Sequence, residues 1–441
     1  MARAWQPDRV AAIGRARCSR PVIFAAGAVA VATVAVGVAV HAGGGALGTA
    51  TPPFVAHWGP TAHPLAAVSV AAVAAGAWAV PRVVVLPRAL FVLALFVLAL
   101  GLGLSVNLAR HGVHGWTAIF DTGPGGSFEA KNEYLPGLPE LSYGVRFYLD
   151  RFAELVPGAP VNVAGHPPGP LLLVHGLGIT TPAQLAALCI GTGALSAPLT
   201  YVLGTRLAGE AAGRRAGMLF AVCPLPLLFG VTSMDAVFMT LGTVAACLLV
   251  GPGARSRALG AAALAVAALF SWALLAVGAW AVVITARRAG VAAAVRLALG
   301  CAAAVAVLNG ALAIAYGYDP VGTLRATEMV YRNSLASIRP YPFWVFGSPV
   351  AWAVTLGPPI AAALLTGLTR RQAPAQALAL VVAVAAAGGF TKAETERIWL
   401  FLVPLACAAA APAVPGQRLR WLVALLLAQT LAVELLFDTV W

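Results

Sequence analysis

Long runs rich in Ala, Val and Leu, punctuated by Gly and Pro, alternate with short polar connections along the whole chain. A helix crosses a bilayer with about twenty apolar residues, or fewer where the membrane thins. Runs of that kind lie near 21–41, 65–81, 88–108, 183–206, 214–231, 235–251, 297–316, 346–368, 375–390, 397–414 and 420–437. The stretch 257–286 reads either as one long helix or as two short ones hinged at Phe270-Ser271-Trp272.

Arginines decide between these readings, because short loops rich in Lys and Arg stay cytoplasmic. Arg3, Arg9, Arg15, Arg17 and Arg20 place the N-terminus inside. The clusters Arg82/Arg88, Arg206/Arg214/Arg215, Arg255/Arg257, Arg287/Arg288/Arg296, Arg370/Arg371 and Arg418/Arg420 all stay inside only if 257–286 crosses twice. The expected fold is therefore an all-α, polytopic transmembrane bundle of about thirteen spans, N-terminus in and C-terminus out. A basic N-terminus (1–20) precedes one transmembrane domain (21–437). That domain carries two charged outer loops, 109–182 and 317–345, and an uncharged one, 42–64. The short apolar piece Pro167–Gly178 reads as juxtamembrane or re-entrant; a full crossing there would invert everything after it.

Composition agrees with the pattern. Of 441 residues, 61% are hydrophobic and 10% charged, whereas soluble domains carry roughly a quarter of their residues as charges. Such a chain is neither an ordinary cytosolic protein nor a disordered one. The run from Pro21 is longer than a signal-peptide core and lacks an obvious cleavage site. The six cysteines have no metal-binding spacing, and all but Cys18 sit in apolar runs, where Cys is a small hydrophobe. The net charge of +13 has an address on this layout: inner loops hold 19 of the 28 Lys/Arg and two of the 15 acids, outer loops nine and twelve. It is a topological signal and implies no nucleic-acid partner.

Six carboxylates fall in about 35 residues of the first charged loop: Asp121, Glu129, Glu133, Glu140, Asp150 and Glu154. A carboxylate at a membrane surface can take a proton from an acceptor hydroxyl or hold a divalent metal. Asp121 and Glu133 stand apart because each sits among aromatic, Gly and Pro residues; Tyr134 follows Glu133 directly. Glu140, Asp150 and Glu154 read as a solvated helix face. Further along, His166-Pro167-Pro168-Gly169 holds a His rigidly at the entrance to an apolar helix, where it can meet a phosphate. Beyond it, Leu171–Gly178 imitates a hydrolase oxyanion loop, but no G-x-S-x-G occurs and no His follows His175.

Three further groups carry charge at the outer edge. Asp235 lies at the tip between two apolar runs, either as a functional acid or as a helix cap. Tyr331-Arg332-Asn333 and Arg339-Pro-Tyr-Pro-Phe-Trp344 put arginines beside aromatics, which suits an anionic lipid phosphate or an aromatic belt. Lys392-Ala-Glu394-Thr-Glu396-Arg397-Ile-Trp399 opens a late run, and Arg397 there calls for a bound phosphate or for neutralisation by Glu394 and Glu396.

In order and topology the chain resembles the GT-C superfamily of membrane glycosyltransferases. The likeness is to users of dolichyl- or polyprenyl-phosphate sugars, of the protein O-mannosyltransferase and aminoarabinose transferase type. The matching residues are Asp121 and Glu133 for the acidic position and His166-Pro167-Pro168 for the motif that opens the next apolar segment. Glu394–Phe401 looks like a late motif of actinobacterial members. The adjacent Asp-Glu pair usual in the first loop is absent, with Asn132-Glu133 the nearest substitute, which leaves both the base and any metal unassigned.

The resemblance implies a multi-pass enzyme of the plasma membrane. It would move a sugar from a polyprenyl-phosphate donor to a hydroxyl of a glycan, lipid or protein acceptor, by inverting single displacement. Glu133 or Asp121 would serve as base, and His166, Arg332 and Arg397 would hold the donor phosphate. Tyr134, Asp235, Tyr331, Glu394, Glu396 and Trp399 would support them. No P-loop or Gly-rich nucleotide fingerprint appears. A transporter or flippase is the main rival, but its ionisable residues would lie near mid-membrane, and here the acids collect at one face. A non-catalytic subunit of a cell-envelope assembly is the other.

Overall fold

Apolar runs in a chain so poor in charge become helices, because a helix satisfies every backbone N–H and C=O within its own segment. The computed structural model describes residues 20–441 and is built almost wholly from helices. The basic residues before Arg20, and Cys18, lie outside the described residues. Among the described residues seven helices are long and apolar enough to cross a membrane: Pro21–Ala42, Ala66–Val83, Arg88–Phe120, Pro182–Ala208, Trp272–Ala289, Val291–Tyr316 and Gly416–Leu436. The chain is a membrane protein with an all-α bundle. The first helix and Val291–Tyr316 leave Phe24, Val31, Leu299, Val307 and Ile314 exposed, an apolar face suited to lipid.

Several expected runs are broken. The run 346–368 forms Tyr341–Leu356 and Pro358–Thr369, bent by 113°. Gly357 makes the corner at φ +107°, and Pro358-Pro359 supply no N–H to continue the first helix. The run 214–231 divides into Glu210–Ala221 and Pro224–Phe229, again at prolines. The ambiguous stretch forms two helices, Gly253–Ala268 and Leu275–Ala289, with the break at the residues read as a hinge. Pro167–Gly178 yields only the eight-residue helix Gly169–Gly176, about 12 Å long, well short of a bilayer.

The connections fall into two sets. In one, the arginines of the basic loops reach neighbouring carbonyls. Arg214 donates to Val84 and Leu86, Arg215 to Ala411, Arg288 to Leu207, and Arg206 to Cys247. In the other, 42–64, 109–182, 317–345, 391–397 and the chain's last residues interlock. His57–Trp58 pairs antiparallel with Phe437–Asp438, Arg110 reaches Asp438 at 3.6 Å, and Trp344 donates to the Leu47 carbonyl. The five described cysteines are buried and free.

Candidate functional site

The second set of connections encloses a buried cluster of charged side chains. Its centre is Arg397, on the one-turn helix Thr395–Ile398. Its Nη1 lies 2.8 Å from Asp235 Oδ2, and its Nη2 lies 3.4 Å from Glu394 Oε2. The other Glu394 oxygen pairs with Arg339 Nη2 at 2.7 Å. Ala393 and Glu394 both adopt left-handed backbone, at φ +64° and +57°, a conformation costly for side chains with a Cβ. That turn carries the Glu394 carboxylate between the two guanidiniums. Asp235 is fixed in turn by the Ser233 hydroxyl, which donates to Oδ2 at 2.6 Å.

Glu133 comes to the same cluster from the first charged loop. It is buried, Asn162 Nδ2 donates to its Oε1 at 2.7 Å, and its Oε2 has no partner among the described residues. Burial pushes its pKa up to about 8; the Arg397 charge opposes the rise, while Asp235 and Glu129 add to it. Asn162 also positions His166, whose Nδ1 sits 2.7 Å from the Asn162 carbonyl. A carbonyl accepts only, so Nδ1 carries the proton and Nε2 keeps its lone pair. Burial lowers the His166 pKa, which favours this neutral ring. Tyr134 Oη is 3.1 Å from the same Nδ1, and Phe238 packs on the ring at 4.9 Å. The base of this turn is Gly169, whose N–H donates to the Leu269 carbonyl at 2.9 Å, at the break before Phe270.

Glu396 lies in the adjoining layer. Its Oε1 accepts the Val55 N–H at 3.0 Å, its Oε2 is unpartnered, and burial pushes its pKa up to about 7. Burial would also raise Glu394, but the Arg339 and Arg397 guanidiniums hold it below the usual carboxylate range. Within this cluster Arg397 Nε and Arg339 Nε are buried and have no acceptor among the described residues. Trp441 covers Arg397, with the guanidinium carbon 4.6 Å from its ring centre.

The residues expected from sequence divide accordingly. Glu133, Tyr134, His166, Asp235, Glu394, Glu396 and Arg397 are gathered here. Tyr331 is adjacent, its hydroxyl accepting the Lys392 N–H at 3.0 Å, and Trp399 is a buried packing residue edge-on to Trp352. Asp121 makes none of these contacts. Its Oδ1 accepts the Gly123 N–H at 2.8 Å, the local turn of an Asp two residues before Gly. Arg332 also stands apart: its side chain is 73% exposed and pairs with Glu328 one helical turn back at 2.7 Å. Arg339, from the same segment, is the arginine that joins the cluster, through Glu394.

Sequence reasoning passed over Asn162 and Trp441. Asn162 had one usable signal, its spacing of four residues before His166 on a short apolar helix. Among the described residues no group of three or more His, Cys, Asp or Glu side chains is placed to hold a metal ion. What the cluster offers chemically is a carboxylate that can take a proton, an imidazole lone pair, and guanidinium donors for an anion. Neither the protein-family models nor the curated proteins compared with this chain match it.

Proposed function

We propose that the protein is a GT-C-like membrane glycosyltransferase, moving a sugar from a polyprenyl-phosphate donor to an acceptor hydroxyl. One observation carries the reading: the unpartnered Glu133 oxygen is buried in a network whose two arginines keep unsatisfied N–H donors. In this reading the donor's isoprenoid tail lies between helices and its phosphate meets Arg397 and Arg339, with Lys392 adding positive charge nearby. The acceptor oxygen attacks the anomeric carbon as the bond from that carbon to the phosphate oxygen breaks. The hydroxyl proton passes to Glu133 Oε2, and polyprenyl phosphate leaves as an anion stabilised by the guanidiniums. One displacement inverts the anomeric centre.

His166 takes a different part from the one first expected. A neutral ring with its proton on Nδ1 offers Nε2 as an acceptor, so it would receive a hydrogen bond from a sugar or acceptor hydroxyl and leave phosphate binding to the arginines. About thirteen crossings of the plasma membrane belong to this reading, with 257–286 crossing twice as two short helices. In it the N-terminus lies inside, and the acidic cluster and C-terminus outside. The test is transfer from radiolabelled polyprenyl-phosphate sugars in membranes containing the full chain. Label should move to a glycan, lipid or protein acceptor, with a single displacement seen as inversion at the anomeric carbon. Absence of transfer from every donor tried, with the folded protein present, would refute the activity.

A further inference from the structure

At the opposite end of the bundle, the arginine-rich loops frame a cleft of about 360 Å³. Pro81, Val84 and Leu419 line its apolar part, and Arg214, Arg215, Gln417 and Arg420 its polar part. The first two residues mark the end of the Ala66–Val83 helix and Leu419 opens Leu419–Leu436, so the cleft sits where two membrane-length apolar helices stop.

The positive charge in this cleft is not balanced. Glu210, the acid beside it, is taken by Arg214 at 2.8 Å and by the Tyr201 hydroxyl. Arg214 is further committed to the Val84 and Leu86 carbonyls. Arg215 has one bond, from Nε to the Ala411 carbonyl, and among the described residues neither Arg215 nor Arg420 has a carboxylate partner. Two guanidiniums thus line one cleft without a carboxylate partner among the described residues, and their N–H donors suit phosphate oxygens.

Two tryptophans fix the depth of the cleft. Trp78 and Trp421 are each 63% exposed, and each lies beside an arginine, Arg82 at 4.2 Å and Arg420 at 5.4 Å. Exposed Trp paired with Arg at the end of an apolar helix marks headgroup level, with the ring toward the chains and the charge toward water. Basic pockets between membrane helices hold anionic headgroups by this arrangement.

We propose that the cleft between Val84, Arg215 and Arg420 binds the phosphate headgroup of an anionic phospholipid in the leaflet at the basic end. This site is separate from the Glu133–Arg397 cluster and does not depend on the glycosyl-transfer reading. The lipid's acyl chains lie along the Trp78 and Trp421 faces while its phosphate takes N–H donors of Arg215 and Arg420.

The test is native mass spectrometry of the full chain, delipidated in detergent and titrated with phosphatidylglycerol or with phosphatidylcholine of the same acyl chains. Preferential phosphatidylglycerol binding is expected. Arg420→Gln, an exposed change that spares the fold, should weaken it about fivefold, and Arg215→Gln/Arg420→Gln about 30-fold, on the effect of removing one and two headgroup-level charges. The control Arg255→Gln/Arg257→Gln removes the same charge at the same end, outside the cleft, and should leave binding unchanged. Excess inorganic phosphate should fail to displace the lipid. Equal affinity for phosphatidylcholine, an equal loss in the control, or displacement by phosphate alone would overturn the proposal.

Discussion

Arg397 and Asp235 meet at 2.8 Å in the interior, 162 residues apart in sequence, and tie the turn before the Asp235–Leu249 helix to the turn that carries Glu394. Both side chains are more than nine-tenths buried. A buried pair adds little over an apolar pair of the same shape, but losing one partner strands a charge. The pair therefore fixes where two loops sit, and with them the position of Arg397 relative to Glu133.

Asp235→Asn should cost about 3 kcal/mol of stability, the lower part of the range for breaking a buried pair, because Glu394 still faces Arg397. Thermal unfolding in detergent checks this. An unchanged midpoint would mean that the pair is not closed in the protein.

The pH dependence follows from Glu133. Its folded pKa is raised, so the folded state holds a proton that the unfolded state releases once pH passes the ordinary carboxyl value of 4.5. Stability is thus greatest below that value and falls as pH rises toward about 8, where the folded group also ionises. Glu396 adds the same trend up to about 7. Glu133→Gln should flatten the decline, most visibly between pH 7 and 8, in melting temperatures measured across that window. A wild-type curve that rises with pH through this window would contradict the assignment. If Glu133 is the base, the transfer rate of the wild type should rise with pH through the same region.

Arg339→Gln and Arg332→Gln separate the buried arginine from the exposed one. The first removes the shorter of the two arginine contacts to Glu394 and should unfold the protein several degrees earlier or abolish donor binding. The second loses an exposed pair worth roughly 0.3–0.5 kcal/mol and should be almost silent. Equal effects in unfolding and donor-binding assays would refute this division.

Gly169→Ala should disturb the turn that holds His166. An added Cβ would press into the Leu269 carbonyl oxygen, so one segment must move. The expected result is a lower melting temperature together with a changed environment of the His166 ring, read by nitrogen NMR of labelled histidine. A spectrum and midpoint identical to wild type would show that the contact is not made.

The helices were legible because apolar runs in a charge-poor chain have one way to satisfy their backbone. The break near Phe270 was legible because arginines on both sides had to stay together. The need of Arg397 for a partner was equally readable, and both Glu394 and Asp235 answer it. The choice between Arg332 and Arg339 was not. Each stands beside aromatics, and only the helix Pro320–Asn333 reveals that Arg332 faces out with Glu328. Asp121 misled for a similar reason: its Gly-rich surroundings shape a turn that Asp121 itself closes. Trp441 reaches Arg397 only because the last residues pair with His57–Trp58, a contact across nearly the whole chain.

In the proposed transfer Glu133 takes the acceptor proton. The most direct measurement is the rate of sugar transfer from polyprenyl phosphate by wild type, Glu133→Gln and Asp121→Asn, each confirmed folded by its melting temperature. A loss of about 10²–10⁴-fold is expected for Glu133→Gln and near wild-type transfer for Asp121→Asn. Undiminished transfer by Glu133→Gln would contradict that role.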